Sequence, residues 1–334
     1  LLNPIRVGRS QAVISAAIVG LGRWGQTLVA SVQGKSERLR FTHAVSRDPA
    51  RAGEFIAAHR LQILGSLDRA LADPGIDAIV LATPHSLHAD QIVAVAAAGK
   101  AVFCEKPLTL TRAEAQRATE ACRAAGVVLA VGTDRRWFPA MAELARITAG
   151  GELGRILHIE ANFSNEAAVT MSSPWRDSPD ESPGGGMTGT GIHVLDAMIR
   201  MAGPVHRVQA QLLSHRPAPD PLDTISALLE FRSGISGVLA TVRTTPAFWR
   251  VHVFGRDGSA EALDRTELVL RRSVSAPQRL NLPPVDSVRA NLEAFADAVA
   301  GIAPYPISPG EMVDVVAAFE AIARAAASGR AQEL

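Results

Sequence analysis

Two stretches of this chain have the residue types and spacing to hold a nucleotide. Gly20-Leu21-Gly22-Arg23-Trp24-Gly25 follows an apolar run and opens a helix-like stretch. In that setting the first glycine permits a tight turn, the second lets a pyrophosphate approach the backbone, and the third allows helix and strand to pack closely. The helix N-terminus then faces the anion with unsatisfied N–H groups. Alone, such a pattern also describes a glycine-rich turn of no function; its place between strand and helix gives it weight. The second strand ends about twenty residues on, where an acidic side chain would bind the ribose hydroxyls of NAD. Here the chain reads Ser46-Arg47-Asp48, offering a hydroxyl and a guanidinium fork to a 2′-phosphate. That favours NADP as cofactor, with NAD as the alternative. A shift of one residue would put Asp48 near the ribose, and the bland reading makes Arg47 a solvated charge and Asp48 a helix cap.

These residues need a scaffold, and the pattern around them supplies one. From Ser15 to Val131 short apolar runs alternate with helix-like stretches, which is the signature of βαβ units and a parallel sheet. Strands are expected at Ala16 to Val19, Phe41 to Val45, Ala78 to Ala82, Ala101 to Cys104 and Val127 to Val131, each apolar along its length as strands covered on both faces should be. Helices are expected at Trp24 to Val32, Pro49 to His59, His88 to Ala98 and Arg112 to Ala125, the last with Thr111 as N-cap and Gly126 as its stop. After a helix near Pro139 to Thr148, the glycines at 150, 151 and 154 mark a boundary. Strand-like runs then follow one another, at Ile156 to Phe163, Val205 to Leu213, Thr224 to Phe231, Ile235 to Val242 and Arg250 to Phe254. One helix near Ile192 to Met201 interrupts them, and helices near Val288 to Ala300 and Glu311 to Ala327 close the chain. Ile235 to Val242 is apolar on both alternating sets, which implies that the sheet's second face is also covered, by another subunit. Ser172 to Gly186 reads as a loop over a site.

Composition narrows the partners. The 334 residues carry 34 Lys plus Arg against 33 Asp plus Glu, a formal net charge of +1, so the basic surplus of a nucleic-acid binder is missing. No run approaches the ~18–20 apolar residues of a membrane-spanning helix. The apolar stretch behind Arg6 and Arg9 runs into Gly20 without a cleavage pattern and reads as a buried strand rather than a secretory signal. Cys104 and Cys122 make neither a disulfide framework nor a metal pair, which points to a reducing, cytoplasmic setting. His85 and His88 stand three apart, but no cysteine or carboxylate joins them, so no metal site is expected; they border the cofactor instead.

Three further stretches carry a family resemblance. Ala82-Thr83-Pro84-His85-Ser86-Leu87-His88, the run from Ala98 through Glu105-Lys106-Pro107, and Gly186 to Asp196 resemble the successive motifs of the glucose-fructose oxidoreductase and inositol dehydrogenase family, Gfo/Idh/MocA. The resemblance spans roughly Ala16 to Ala327. It implies an α/β fold: an N-terminal Rossmann dinucleotide-binding domain (1–131), then a C-terminal α+β domain (132–334) with an open, mainly antiparallel sheet through which subunits associate as a homodimer or homotetramer. The last helix would pack back on the first domain. The implied activity is hydride transfer between NADP, or NAD, and an alcohol or carbonyl on a sugar, cyclitol or related polyol.

Within that resemblance Lys106, one of only three lysines, takes the place beside nicotinamide and carbinol, where an ammonium polarises the reacting oxygen. The bland reading has it satisfying Glu105. His193 falls in register with the family's general acid or base, but four residues back, where the family has Asp, stands Gly189. Asp196 and Thr190 are within sequence reach as substitutes for orienting His193. Thr83, Pro84, His88, Glu105 and Arg136 are expected around the cofactor, with Arg135, Trp175, Arg176, Thr190 and Asp196 as candidate substrate contacts. The departure at Gly189 keeps a second reading open, a nucleotide-binding sensor that retained the fold and lost turnover.

Overall fold

Strands buried on both faces organise the first half of the chain. The computed structural model describes residues 13–166, 175, 178–214 and 223–334. In chain order the first elements are β1 (Ile14–Val19), α1 (Arg23–Val32), β2 (Leu39–Val45), α2 (Gly53–Ala58), β3 (Gln62–Leu64), α3 (Leu67–Ala72), β4 (Ala78–Leu81), α4 (His88–Ala97), β5 (Ala101–Cys104), α5 (Arg112–Ala125) and β6 (Leu129–Val131). Every residue of β1, β4, β5 and β6 is buried. The six strands are parallel and lie in the order β3-β2-β1-β4-β5-β6. The order reverses between β1 and β4, and ligands bind at the carboxyl ends of strands at such a point. As the sequence predicts, Thr111 and Glu114 form a capping box on α5 and Gly126 ends it at φ +67°. β3 and α3 were not expected: a three-residue strand and a six-residue helix are too short to show a period.

The second half is built around a nine-stranded sheet. It comprises α6 (Pro139–Ala149), β7 (Ile156–Ser164), α7 (Ile192–Ala202), β8 (Val205–Leu213), β9 (Thr224–Phe231), β10 (Ser236–Val242), β11 (Phe248–Gly255), β12 (Gly258–Leu263), β13 (Glu267–Arg272), β14 (Gln278–Asn281), α8 (Ser287–Val299), α9 (Pro309–Ser328) and β15 (Gln332–Glu333). The order is β14-β13-β12-β11-β7-β10-β9-β8-β15. Every pairing is antiparallel except β7 with β10. One face packs Trp249, Val251, Val253, Ala260, Ala262, Leu268 and Leu270 into a core with α6 and α7. On the other face Leu228 is 57 % exposed and Val238 and Ala240 are half-buried.

The end of the chain returns to the first sheet. Leu292, Phe295 and Ala296 of α8 share a core with residues of β1, β2 and β5, and Phe295 meets Phe103 edge-on at 5.8 Å between ring centres. α9 starts from Ser308, whose capping box with Glu311 satisfies its first N–H groups. It packs on α5 on one side and β8 on the other. No helix among the described residues is long and apolar enough to cross a membrane.

Candidate active site

The glycine turn does three different things at three positions. Gly20 has φ +95°, and a Cβ there would stand 2.5 Å from the Ala82 carbonyl oxygen. A Cβ on Gly25 would overlap the Gly20 carbonyl, so the helix can lie this close to the strand only with glycine at that point. Gly22 has nothing within 4 Å of where its Cβ would be. It caps α1 without a side-chain hydrogen bond, and the first turn of α1 carries no acidic residue. An open backbone cradle at a helix N-terminus with no competing carboxylate is what a pyrophosphate needs, so these residues fit a dinucleotide. Arg23 and Trp24 continue from the turn into the adjoining cleft.

Glu105 and Lys106 leave the end of β5 into the same cleft. Glu105 is buried, and burial pushes its carboxyl up to about 7 against the opposing pull of the Trp24 indole N–H and the Lys106 ammonium. Gly132, just past β6, makes room for it: a Cβ there would lie 2.6 Å from the Glu105 carboxyl carbon. Lys106 donates from its backbone N–H to Glu105 Oε2 (3.2 Å) and from Nζ to the Gly189 carbonyl (2.9 Å), with Thr188 O at 3.5 Å. The ammonium is thus tied to the turn that precedes α7, and the first domain's lysine is fixed by the second domain's backbone.

That turn, Met187–Gly191, also delivers His193 on the first turn of α7. His193 lines the cleft at 4 % exposure with its ring edge-on to Phe163, 5.8 Å between centres. Burial, then Lys106 and Arg135, hold its pKa well below the usual histidine value, so the imidazole is neutral. Its Nδ1 is buried with no hydrogen-bond partner among the described residues. Arg135 is held beside it by an ion pair with Asp134 at 2.6 Å and by the faces of Phe138 and Phe163, with ring centres 5.0 and 5.3 Å from its guanidinium carbon.

A loop from the second domain closes the cleft over β4. Glu181 accepts from Ser86 N–H at 3.1 Å and from Ser86 Oγ, and its own carbonyl contacts His85 Nδ1 at 2.6 Å. Trp175 meets the His85 ring edge-on at 5.4 Å. The cleft beneath is lined by Arg23, Trp24, Thr83, Glu105, Lys106, Arg135, Trp175, Thr190 and His193, all expected from the sequence. Phe163, Asn165, Ser182, Thr188 and Arg243 also line it and were not expected.

Several expected residues stand elsewhere. Arg136 does not reach the cofactor cleft, because its guanidinium is spent on Asp196 and Glu311. Asp196, expected near substrate and as a partner for His193, is 2 % exposed and serves Arg136 instead. Thr190 lines the cleft, but its hydroxyl bonds Gly186 O at 2.8 Å and Thr241 Oγ1 rather than His193. His88 is fully buried away from the cleft, with Nδ1 2.9 Å from Pro107 O and Nε2 3.1 Å from Thr83 O. It braces the two cofactor-side loops against each other, and burial lowers its pKa. Pro84 precedes the short turn His85–Leu87 and does not line the cleft. Ser46 is half-buried and Arg47 exposed at the end of β2, outside the enclosed cleft, while the Asp48 carboxylate accepts the Arg51 N–H at 3.4 Å as a turn cap. Arg176 lies outside the described residues.

Comparison with known proteins finds matches to both halves of the chain. Residues 14–133 match the oxidoreductase family with the NAD-binding Rossmann fold, and residues 141–261 match the GFO/IDH/MocA C-terminal domain. A D-xylose 1-dehydrogenase (NADP(+)) of Haloferax volcanii is 32% identical over 301 residues, 86% of this chain and 90% of that protein. A scyllo-inositol 2-dehydrogenase (NAD(+)) of Bacillus subtilis is 32% identical over 260 residues, 74% of this chain and 72% of that protein. In fold, the chain is similar to the crystal structure of an aldose-aldose oxidoreductase from Caulobacter crescentus complexed with glycerol, with a TM-score of 0.85 at 24% identity, covering 97% of this chain and 100% of that one.

Proposed function

The chain belongs to the GFO/IDH/MocA family of NAD(P)-dependent oxidoreductases, and from that premise we propose that it interconverts an alcohol and a carbonyl on a sugar or polyol, preferring NADP. The observation that carries the reading is the meeting of Lys106 and His193. The ammonium is held at 2.9 Å by Gly189 O, and a neutral imidazole four residues further on lines the same cleft. A nicotinamide dinucleotide, held at its pyrophosphate by the glycine turn, would supply the hydride acceptor or donor.

The chain's own residues do the rest. Lys106 directs an N–H at the reacting oxygen and stabilises the charge that gathers there. His193 accepts the hydroxyl proton on oxidation; as a neutral ring it is already in the form a base requires. The loop carrying Glu181 and Trp175 covers the cleft and excludes water, which strengthens the lysine's field. Ser46 and Arg47 at the end of β2 support the preference for a 2′-phosphate. The half-open outer face of the nine-stranded sheet, with Leu228, Val238 and Ala240, supports association of subunits through that face.

The test is NADPH oxidation against a panel of keto-sugars, with Lys106→Met and His193→Ala beside the parent. Each variant is expected to lose about 10² to 10⁴ in kcat while still binding nucleotide. Turnover at the parent rate in both would remove the assignment. Tight NADPH binding with no turnover of any carbonyl would leave the sensor reading, which the lack of a partner for His193 Nδ1 among the described residues favours.

A further inference from the structure

His193 carries the proposed proton transfer, yet its second ring nitrogen is not steered by a hydrogen bond: Nδ1 is buried with no partner among the described residues. Thr190, within sequence reach, gives its hydroxyl to Gly186 O and Thr241 Oγ1, and Asp196 is held by Arg136. An imidazole turns about a broad terminal torsion, and a histidine base is usually set in tautomer and orientation by the hydrogen bond on its other nitrogen. Here the ring is held by packing.

The side chain that holds it is Phe163, which sequence reading missed. Its ring meets the imidazole at 66° with 5.8 Å between centres. Phe163 is itself fixed on two sides. The Arg135 guanidinium carbon stands over its face at 5.3 Å, and Trp249, directly across from it in the pairing of β7 with β11, meets it edge-on at 5.4 Å. Arg135 and Trp249 both meet Phe138 in turn, at 5.0 Å and 5.6 Å from its ring centre, and Asp134 pins the guanidinium at 2.6 Å. Arg135, Phe138, Trp249 and Phe163 thus close a loop of contacts. Aromatic edges and faces and a cation over a ring are directional, so the loop has one arrangement, and His193 rests against its Phe163 corner.

We propose that Phe163 is the positioning residue of His193, a clamped ring that takes the part a hydrogen-bonded carboxylate or carbonyl plays for other histidine bases. The inference rests on the reading of His193 as the base and names what orients it. What matters at position 163 is then the ring and not the apolar bulk.

The experiment compares Phe163→Leu and Phe163→Met, which keep bulk and lose the ring, with Phe163→Tyr, which keeps it. Imidazole 15N–1H spectra of the full chain, with the His193 signals identified by their loss in His193→Ala, read the ring without any substrate. Sharp His193 signals are expected in the parent and in Phe163→Tyr, and broadened or doubled ones in the two ringless variants. Carbonyl reduction by NADPH reads the consequence. Loss of the ring is expected to lower kcat about 10- to 100-fold with KM within about threefold, Phe163→Tyr to restore it, and Phe163→Leu to add nothing in a His193→Ala background. His193 signals indifferent to the loss of the ring would overturn the proposal. So would a fall in kcat that persists undiminished in the His193→Ala background, since Phe163 would then act on the substrate directly. Signals that broaden in a protein that turns over no carbonyl support the positioning contact and remove the proposed activity.

Discussion

Arg136 donates from Nε and Nη2 to the two carboxylate oxygens of Asp196, both at 2.8 Å, with each side chain under a tenth exposed. A third donor reaches Glu311 at 3.0 Å. The pair therefore joins the segment after β6 to the middle of α7 and to the capping box of α9. It fixes the helix that carries His193 against the end of the sheet that carries the nucleotide turn.

Breaking one half of that pair is expected to cost far more than replacing both. Asp196→Asn leaves a buried guanidinium undercompensated, at about 3–5 kcal/mol in a urea melt. Arg136→Met with Asp196→Leu is expected to recover most of that loss, because two apolar side chains carry no desolvation debt. A single variant as stable as the parent would show that the pair is not buried in solution.

The three glycines of the nucleotide turn separate folding from binding. Gly25→Ala drives a methyl into the Gly20 carbonyl and is expected to cost about 1–3 kcal/mol or more. Gly22→Ala adds its methyl to open space and is expected to change stability by no more than about 1 kcal/mol. That methyl occupies the pyrophosphate's approach, so NADPH affinity is expected to fall about tenfold or more. Thermal melts and a fluorescence titration on the two variants distinguish these outcomes.

What the sequence shows and what it hides divide along physical lines. β4, β5 and β1 from Ala16 onward are legible because these strands, covered on both faces, are apolar at every position, and α5 because Thr111, Glu114 and Gly126 mark its ends locally. β12 to β14 are not legible: Glu261 and Arg271 pair with each other across strands, which puts charges where a half-buried strand would show clean alternation. The adjacency of Arg135 and Arg136 is plain in the text, but which one faces the cleft depends on Asp196 and Glu311, far along the chain. Arg243 belongs to no local motif and meets Gly189 only through the fold. Gly132 could have been suspected, since a glycine just past β6 stands where the neighbouring strand's Glu105 must be accommodated.

The proposed preference for NADP rests on Arg47. It is exposed at the end of β2, and a charge-assisted hydrogen bond to a 2′-phosphate contributes about 1.5–3 kcal/mol. Arg47→Ala is expected to lower kcat/KM for NADPH by about 10- to 100-fold and to leave that for NADH within a factor of about two or three. Equal losses for both nucleotides would assign Arg47 to general nucleotide binding, and no loss for either would return it to the solvent.

As the proposed base, His193 is expected to set the acid limb of the pH profile. Its folded pKa lies well below the ordinary 6.5, from burial first and then from Lys106 and Arg135. The proposed base is the neutral ring, present above that depressed pKa and lost only as pH falls through it. Oxidation measured as kcat/KM is therefore expected to stay flat as pH falls from 8 through 6.5 and to decline only further down. Arg135→Gln removes one of the two cations and leaves Asp134 nearby, both of which favour the protonated ring, so the limb is expected to move up toward 6.5. A limb centred at 6.5 in the parent, or one that Arg135→Gln moves downward, would mean that another group carries the proton.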